Sequence, residues 1–218
     1  MSNTVTLYHY WRSSSSWRVR WALAIKGIEF ASVPVNLLEN EQNSEAHRAR
    51  NPAGYVPTLE IDGHLLTESV AILEYLEETR PSPALYPREA LWRARVRQVC
   101  ESINAGVQPL QNLGVLKRHS SEPAEQKRWA AHFNERGLQV IEALLLRSDA
   151  ERGHVGRFAI GDDLTAADLY IVPQVYSARR FGVDVTLFPR VIAAETAALA
   201  SEHARAALPE NQPGATTH

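Results

Sequence analysis

Every convincing β-strand signal in this chain lies before residue 68, and three prolines, Pro81, Pro83 and Pro87, then fall within seven residues. Proline lacks an amide donor and drives the residue before it out of the helical region, so no helix crosses that stretch. Beyond Leu91 no convincing strand appears, and helices are expected at about 88–118, 123–148, 164–179 and 189–205. The expected organisation is therefore an α/β domain over 1–82 and an all-helical domain over 88–208. The tail, 209–218, holds two prolines, one glycine and no apolar run, and is expected to be extended or frayed.

Within the first part, Thr4 to Tyr10 is rich in β-branched and aromatic residues and reads as a strand. Ser13 to Ser16 form an N-cap cluster ahead of Trp17 to Ile25, a helix whose only polar residues are Arg18 and Arg20. Phe30 to Val35 reads as a second strand, and 38–50 as a loose helix or exposed loop. Asp62-Gly63 between Thr58–Ile61 and His64–Thr67 is a strong signal for a two-residue type I′ hairpin. Glu68-Ser69 then opens an apolar helix. The order β-α-β-(α)-β-β-α is similar to the thioredoxin arrangement.

Composition removes several classes of function. Twenty-three basic against 25 acidic side chains give a net charge of −2, which supplies no electrostatic footprint for nucleic acid. No apolar run approaches the ~18 residues of a membrane span, and the start, Met1-Ser2-Asn3-Thr4, lacks the features of a signal peptide. The lone Cys100 rules out an intramolecular disulfide, and the eight histidines show no metal-ligand spacing, so no metal is expected. These features lead us to expect a cytosolic protein.

Several motifs read in two ways. Arg12 to Arg20 places hydroxyls and free N–H groups at the positive end of a helix dipole, which suits an anion such as a thiolate, or a serine-rich cap and nothing more. Val56-Pro57 opens a strand at a sheet edge, or is a cis-proline that turns the Val56 N–H and C=O toward a ligand. Ser69 donates to a carboxylate and Glu68 accepts from an ammonium group, or the pair is a plain N-cap. All three elements fall at one end of the same sheet. Thr165 and Asp168 form a capping box, a folding signal. The amides of Gln108-Pro109-Leu110-Gln111-Asn112 face a cleft or solvent. Of Arg179 and Arg180, one is able to clamp a carboxylate bidentately.

Taken together these residues resemble the zeta class of cytosolic glutathione transferases, which includes maleylacetoacetate and maleylpyruvate isomerases. Ser13-Ser14-Ser15-Ser16-Trp17-Arg18-Val19-Arg20 is similar to the class pattern S-S-C-x-W-R-V-R. Asn51-Pro52, Val56-Pro57-Thr58-Leu59, Glu68 to Glu78, Gln108 to Asn112 and Val172-Pro173-Gln174-Val175 continue the likeness over about 4–190. The resemblance implies glutathione as cofactor. It places Val56 at the cysteinyl unit, Glu68 and Ser69 at the γ-glutamyl end, and Gln42 at the glycyl end. Gln111 and Asn112 are further expected cofactor contacts, and Ser13, Ser14 and Ser15 surround the sulfur. The helical domain is expected to form the second-substrate wall, and a homodimer is expected.

One departure matters: Ser15 stands where the family has cysteine. Serine keeps a hydroxyl donor but forms no mixed disulfide. Cis–trans isomerisation survives the change, because the attacking sulfur belongs to glutathione. Maleylpyruvate isomerases also lack that cysteine and resemble this chain at Ala178-Arg179-Arg180-Phe181, which favours a maleyl substrate other than, or besides, maleylacetoacetate. The chemistry implied is thiolate addition to the cis double bond, rotation and elimination. The α1 dipole with Ser14 and Ser15 would lower the thiol pKa, N–H groups at 14–15 would meet the enolate, and Arg12 and Arg180 would bind the substrate carboxylates. The rival expectations are glutathione conjugation or dehalogenation of small α-halo acids, and a non-catalytic glutathione-binding protein.

Overall fold

The computed structural model describes residues 4–215. The described residues form two compact units, one of 4–84 with 202–215 and one of 85–201.

In the first unit, β1 (Thr6–His9) leads into α1 (Ser14–Ile25) and back to β2 (Ala31–Pro34), which pairs parallel to β1. A short turn at Glu41–Asn43 and α2 (Glu45–Arg50) precede β3 (Thr58–Ile61) and β4 (His64–Thr67), both antiparallel, and α3 (Ser69–Thr79) closes the unit. The sheet order is β2-β1-β3-β4. Leu7, Leu59 and Ile61 of the sheet are buried, as are Val19, Trp21, Leu23, Ile72, Leu73 and Leu76 of α1 and α3. The hairpin turn has φ of 54° at Asp62 and 80° at Gly63, the paired positive values a type I′ turn demands. The 38–50 stretch is ordered as the turn and α2, with Ser44 capping α2 through His47 N.

In the second unit, α4 (Ala90–Asn104), α5 (Leu113–His119), α6 (Pro123–Arg152), α7 (Ala166–Phe181) and α8 (Pro189–Leu199) follow one another. α7 is buried over almost every residue from Ala166 to Val175 and runs through Pro173. The helical stretch expected at about 88–118 is made of α4, a 3-10 turn at Gln108–Gln111, and α5. The break falls at Gly106 and Pro109, poor helix-interior residues. The capping box is present: Asp168 accepts from Thr165 N at 2.8 Å and, with its other oxygen, from Ala159 N at 2.8 Å.

The end of the chain departs from expectation. Residues 202–208 lie with the first unit rather than the helical one, as α9 (Ala204–Ala207), and 209–215 are not a free extended tail. Ala204 and Ala207 are buried, a further turn forms at Pro209–Asn211, and Ala215 packs against Tyr10, Trp11, Val35 and Val56. Small side chains with carbonyls used as acceptors anchor this segment, which an apolar-run criterion does not detect. Residues 216–218 of the expected tail lie outside the described residues.

Candidate functional site

The start of α1 is built as a cap with amides to spare. Ser13 is the N-cap, and its Oγ accepts from Ser16 N at 3.2 Å while its carbonyl takes Trp17 N at 2.9 Å. Ser13 N in turn bonds Tyr10 O at 3.0 Å, closing the turn that leaves β1. Ser14 is the first helical residue and buried, and Ser15 is half-buried. The Ser15 N–H has no acceptor among the described residues, so this helix end presents the orphan donor and positive dipole that favour an anion. Ser13 is the helix cap, with its oxygen accepting locally from Ser16 N. Arg12, half-buried, lies 5.1 Å over the Trp11 ring and forms no ion pair among the described residues.

The second element is the loop into β3. The Val56–Pro57 bond is cis. His47 Nε2 donates to Tyr55 O at 2.8 Å and Asn51 Nδ2 donates to the same oxygen at 3.0 Å. Because the Tyr55–Val56 peptide is trans, drawing that carbonyl inward turns the Val56 N–H the opposite way. Neither the N–H nor the C=O of Val56 makes a backbone hydrogen bond among the described residues, a pair of groups able to accept an extended peptide in strand-like fashion. The loop closes tightly at Gly54, where an added Cβ would sit 3.1 Å from Gln42 O and 3.1 Å from Asn43 Oδ1. Gln42 itself donates to Asn40 Oδ1 at 3.2 Å, and its own side-chain oxygen is buried without a partner among the described residues.

The third element is the start of α3. Glu68 is the N-cap at φ 65° and ψ 116°, a costly conformation for a residue with a Cβ and one that clusters at ligand sites. Ser69 is buried, and its Oγ accepts from Arg18 Nη1 at 3.2 Å. The hydroxyl proton of Ser69 is then left to donate. Arg18, fully buried on α1, is the residue that sequence reasoning passed over. The signal was present, since an arginine inside an otherwise apolar helix needs polar partners.

Residues 3–78 match the family "Glutathione S-transferase, N-terminal domain". A maleylpyruvate isomerase described as a bacterial zeta-class glutathione S-transferase has a solved holo structure with TM-score 0.91 and 37% identity, covering 97% of this chain and 100% of that one. The maleylacetoacetate isomerase of Mus musculus is 42% identical over 209 residues, 95% of this chain and 93% of that protein. This chain belongs to the zeta-class glutathione transferase and maleylacetoacetate isomerase family. A further member, maleylacetoacetate isomerase from Anaeromyxobacter dehalogenans 2CP-1, solved with glutathione in its active site, is 46% identical with TM-score 0.86 and covers 99% of both chains.

The first unit of this zeta-class chain thus carries Arg12, Ser14, Ser15, Val56, Glu68 and Ser69 on segments at the ends of β1, β3 and β4. Ser13 and Gln42 lie in the same unit, and Gln111, Asn112 and Arg180 lie in the second. There Gln111 is buried, and its Oε1 accepts from Asn134 Nδ2 at 2.7 Å and from Gln174 Nε2 at 3.4 Å. Asn134 Oδ1 takes Gln174 Nε2 at 2.6 Å, so the three amides tie α6, α7 and the preceding turn together. Gln111 thus has its side-chain oxygen engaged within the helical unit. Asn112, half-buried, accepts from Gln108 Nε2 at 3.0 Å. Arg180 is exposed with its guanidinium 4.3 Å over the Phe181 ring. Arg179 instead forms a two-pronged pair with Glu195, whose side chain is only 5% exposed.

Among the described residues no group of three or more His, Cys, Asp and Glu is placed to hold a metal ion, and no helix is long and apolar enough to cross a membrane.

Proposed function

We propose that this protein is a glutathione-dependent cis–trans isomerase of a maleyl diketo acid, maleylpyruvate or maleylacetoacetate. The observation that carries the reading is the unpaired backbone of Val56 in the same unit as the open start of α1 and the Ser69 hydroxyl. Those groups suit a γ-glutamyl-cysteinyl-glycine tripeptide in kind: a strand-like partner for its centre, a donor for a terminal carboxylate, and a positive helix end for its sulfur. Bound glutathione supplies a thiolate that adds to the cis double bond, lets it rotate as a single bond, and leaves again unchanged.

The chain's own residues then have separable tasks. Ser14 and Ser15, with the α1 dipole, stabilise the sulfur as its anion and so lower its pKa. Val56 orients the cysteinyl unit, Ser69 and Glu68 hold the γ-glutamyl end, and Gln42 and Asn112 are further cofactor contacts. N–H groups at 14–15 face the substrate oxygen that gains charge on addition. Arg12 and Arg180 take the two carboxylates of the substrate. No residue is required to move a proton, because thiolate is both the attacking and the leaving group. Ser15 in place of the family cysteine leaves this scheme intact and favours a maleyl substrate other than, or besides, maleylacetoacetate.

The test is to incubate the protein with each maleyl compound, with and without glutathione, and follow the cis-enone absorbance. Loss of absorbance only with glutathione, at constant glutathione concentration, is expected. Stoichiometric glutathione consumption on α-halo acids would make it a transferase or dehalogenase instead, and retention on immobilised glutathione without turnover would make it a binding protein. We further infer that it acts as a cytosolic homodimer in the breakdown of aromatic compounds, supported by its family membership; light scattering at micromolar protein checks the dimer.

A further inference from the structure

Arg20 is buried to 1% exposure on α1, and among the described residues no carboxylate pairs with it. Its guanidinium is satisfied by neutral acceptors. Nη2 donates to Trp11 O at 2.9 Å and Ala207 O at 3.3 Å. Nη1 donates to His9 Nδ1 at 3.2 Å and Tyr10 O at 3.4 Å, and Nε reaches Ala207 O at 3.4 Å. A buried cation with no carboxylate in hydrogen-bond contact, and Glu210 acting on it only through space, is costly, and an apolar side chain of similar volume would serve packing better.

What those acceptors have in common is their place in the chain. Tyr10 and Trp11 belong to the turn that delivers Arg12, Ser13, Ser14 and Ser15. With Trp11 O drawn inward, the trans peptide points the Arg12 N–H the other way. With Tyr10 O shared between Arg20 and Ser13 N, the turn that starts α1 is held from behind. The other prong rests on α9, whose terminal carbonyls have no intrahelical donors. Gln212 Nε2 binds Ala206 O and Leu208 O at 2.8 and 2.9 Å, and Asn211 Nδ2 binds Arg205 O at 2.7 Å, so the end of α9 is held on both sides of Ala207. Beyond it, Ala215 packs on Tyr10, Trp11 and Val56.

We propose that Arg20 is a positioning residue for the thiolate chemistry, and that through it the segment Glu202–Ala215 sets how strongly the α1 start stabilises the sulfur anion. The proposal rests on the glutathione reading above. Arg20 acts in two ways of the same sign. It aims the amides ahead of α1, and it places a buried positive charge, offset in part by Glu210, against the turn that leads into α1. The titratable groups that face it are His9, which Arg20 obliges to accept at Nδ1 and which is therefore neutral, and Glu210.

The experiment reads the pKa of the bound glutathione thiol in the full chain, from thiolate absorbance against pH, together with kcat and KM. Arg20→Met keeps the volume without donors or charge. It is expected to raise that pKa by about one unit, about a tenfold loss of thiolate near neutral pH, with kcat recovering at high pH. Arg20→Lys keeps the charge but not the fork and is expected to recover part of the loss. Asn211→Ala with Gln212→Ala, one exposed residue and one half-buried, loosens α9 without touching the core, and is expected to shift the pKa the same way by less. Folded Arg20 variants with an unchanged thiol pKa and unchanged pH–kcat profile overturn the proposal. If the Arg20 variants do not fold, the Asn211/Gln212 variant decides, and an unchanged thiol pKa there overturns it. Failure of the glutathione reading is distinguishable, since the unmodified chain would then bind no glutathione.

Discussion

At the α1 start, three serines that are indistinguishable in sequence have different surroundings. Ser13 is spent on the cap, Ser14 is buried at the first helical position, and Ser15 keeps an unpaired N–H. Replacing Ser14 with alanine is therefore expected to raise the bound thiol pKa and lower kcat at neutral pH, with partial recovery as pH rises; a pH–rate profile that does not move would reduce Ser14 to a folding role. Ser15→Cys restores the family residue and should be tolerated. Arg180→Ala is expected to raise KM for a maleyl diacid about tenfold, the equivalent of about 1.4 kcal/mol from a lost charge-assisted contact, with glutathione affinity unchanged. Arg179→Ala should leave KM alone but lower the melting temperature, because Glu195 is left nearly buried without its partner. Equal KM effects in the two variants would refute the assignment of Arg180.

Among elements, α7 is buried along most of its length, and its start depends on one carboxylate. Asp168 is fully buried and accepts from Thr165 N, Ala159 N and Thr165 Oγ1. Burial pushes its carboxyl up to about 6, while those donors pull it down. Asp168→Ala strands two buried N–H groups at about 1–3 kcal/mol each, so we expect about 2–5 kcal/mol of lost stability in urea unfolding of the chain. Asp168→Asn keeps an acceptor and should lose less. A loss no larger than that of an exposed cap, about 1 kcal/mol, would mean that α7 does not depend on it. The amide cluster of Gln111, Asn134 and Gln174 works on the same element by the same logic.

Across the molecule, His9 is the group most exposed to acid stress. Burial first, then the charge of Arg20, pushes it down from 6.5 to about 3. Nδ1 accepts from Arg20, so Nε2 carries the proton and donates to Ser32 Oγ at 2.6 Å. With a folded pKa below the unfolded one, the unfolded state binds more protons across that window. Stability contributed by neutral His9 is therefore complete above about pH 6.5 and falls as pH drops toward about 3. Asp168 has the opposite sign, its raised pKa making stability fall as pH rises from about 3.8 to about 6. The measurement is thus the difference in urea midpoint between the unmodified chain and His9→Gln from pH 7 to pH 4. It should shrink as pH falls; a constant difference would show that His9 does not titrate with folding.

The division at the proline run, the hairpin at Asp62-Gly63 and the capping box at Thr165 were legible in the sequence because each depends on the backbone chemistry of a few adjacent residues. The Ser13–Arg20 pattern marked the α1 start for the same reason. What only the tertiary structure decided involves residues far apart in the chain. Arg20 meets Ala207 across 187 positions, Arg18 meets Ser69 across 51, and Gln111 meets Gln174 across 63. No local pattern announces such partners, because a buried arginine or amide takes its role from whichever acceptor the fold delivers. The end of the chain shows this most plainly: read alone, Pro209 to Ala215 has nothing to bury, and it is ordered by the carbonyls, small side chains and apolar cluster against which the folded first unit sets it.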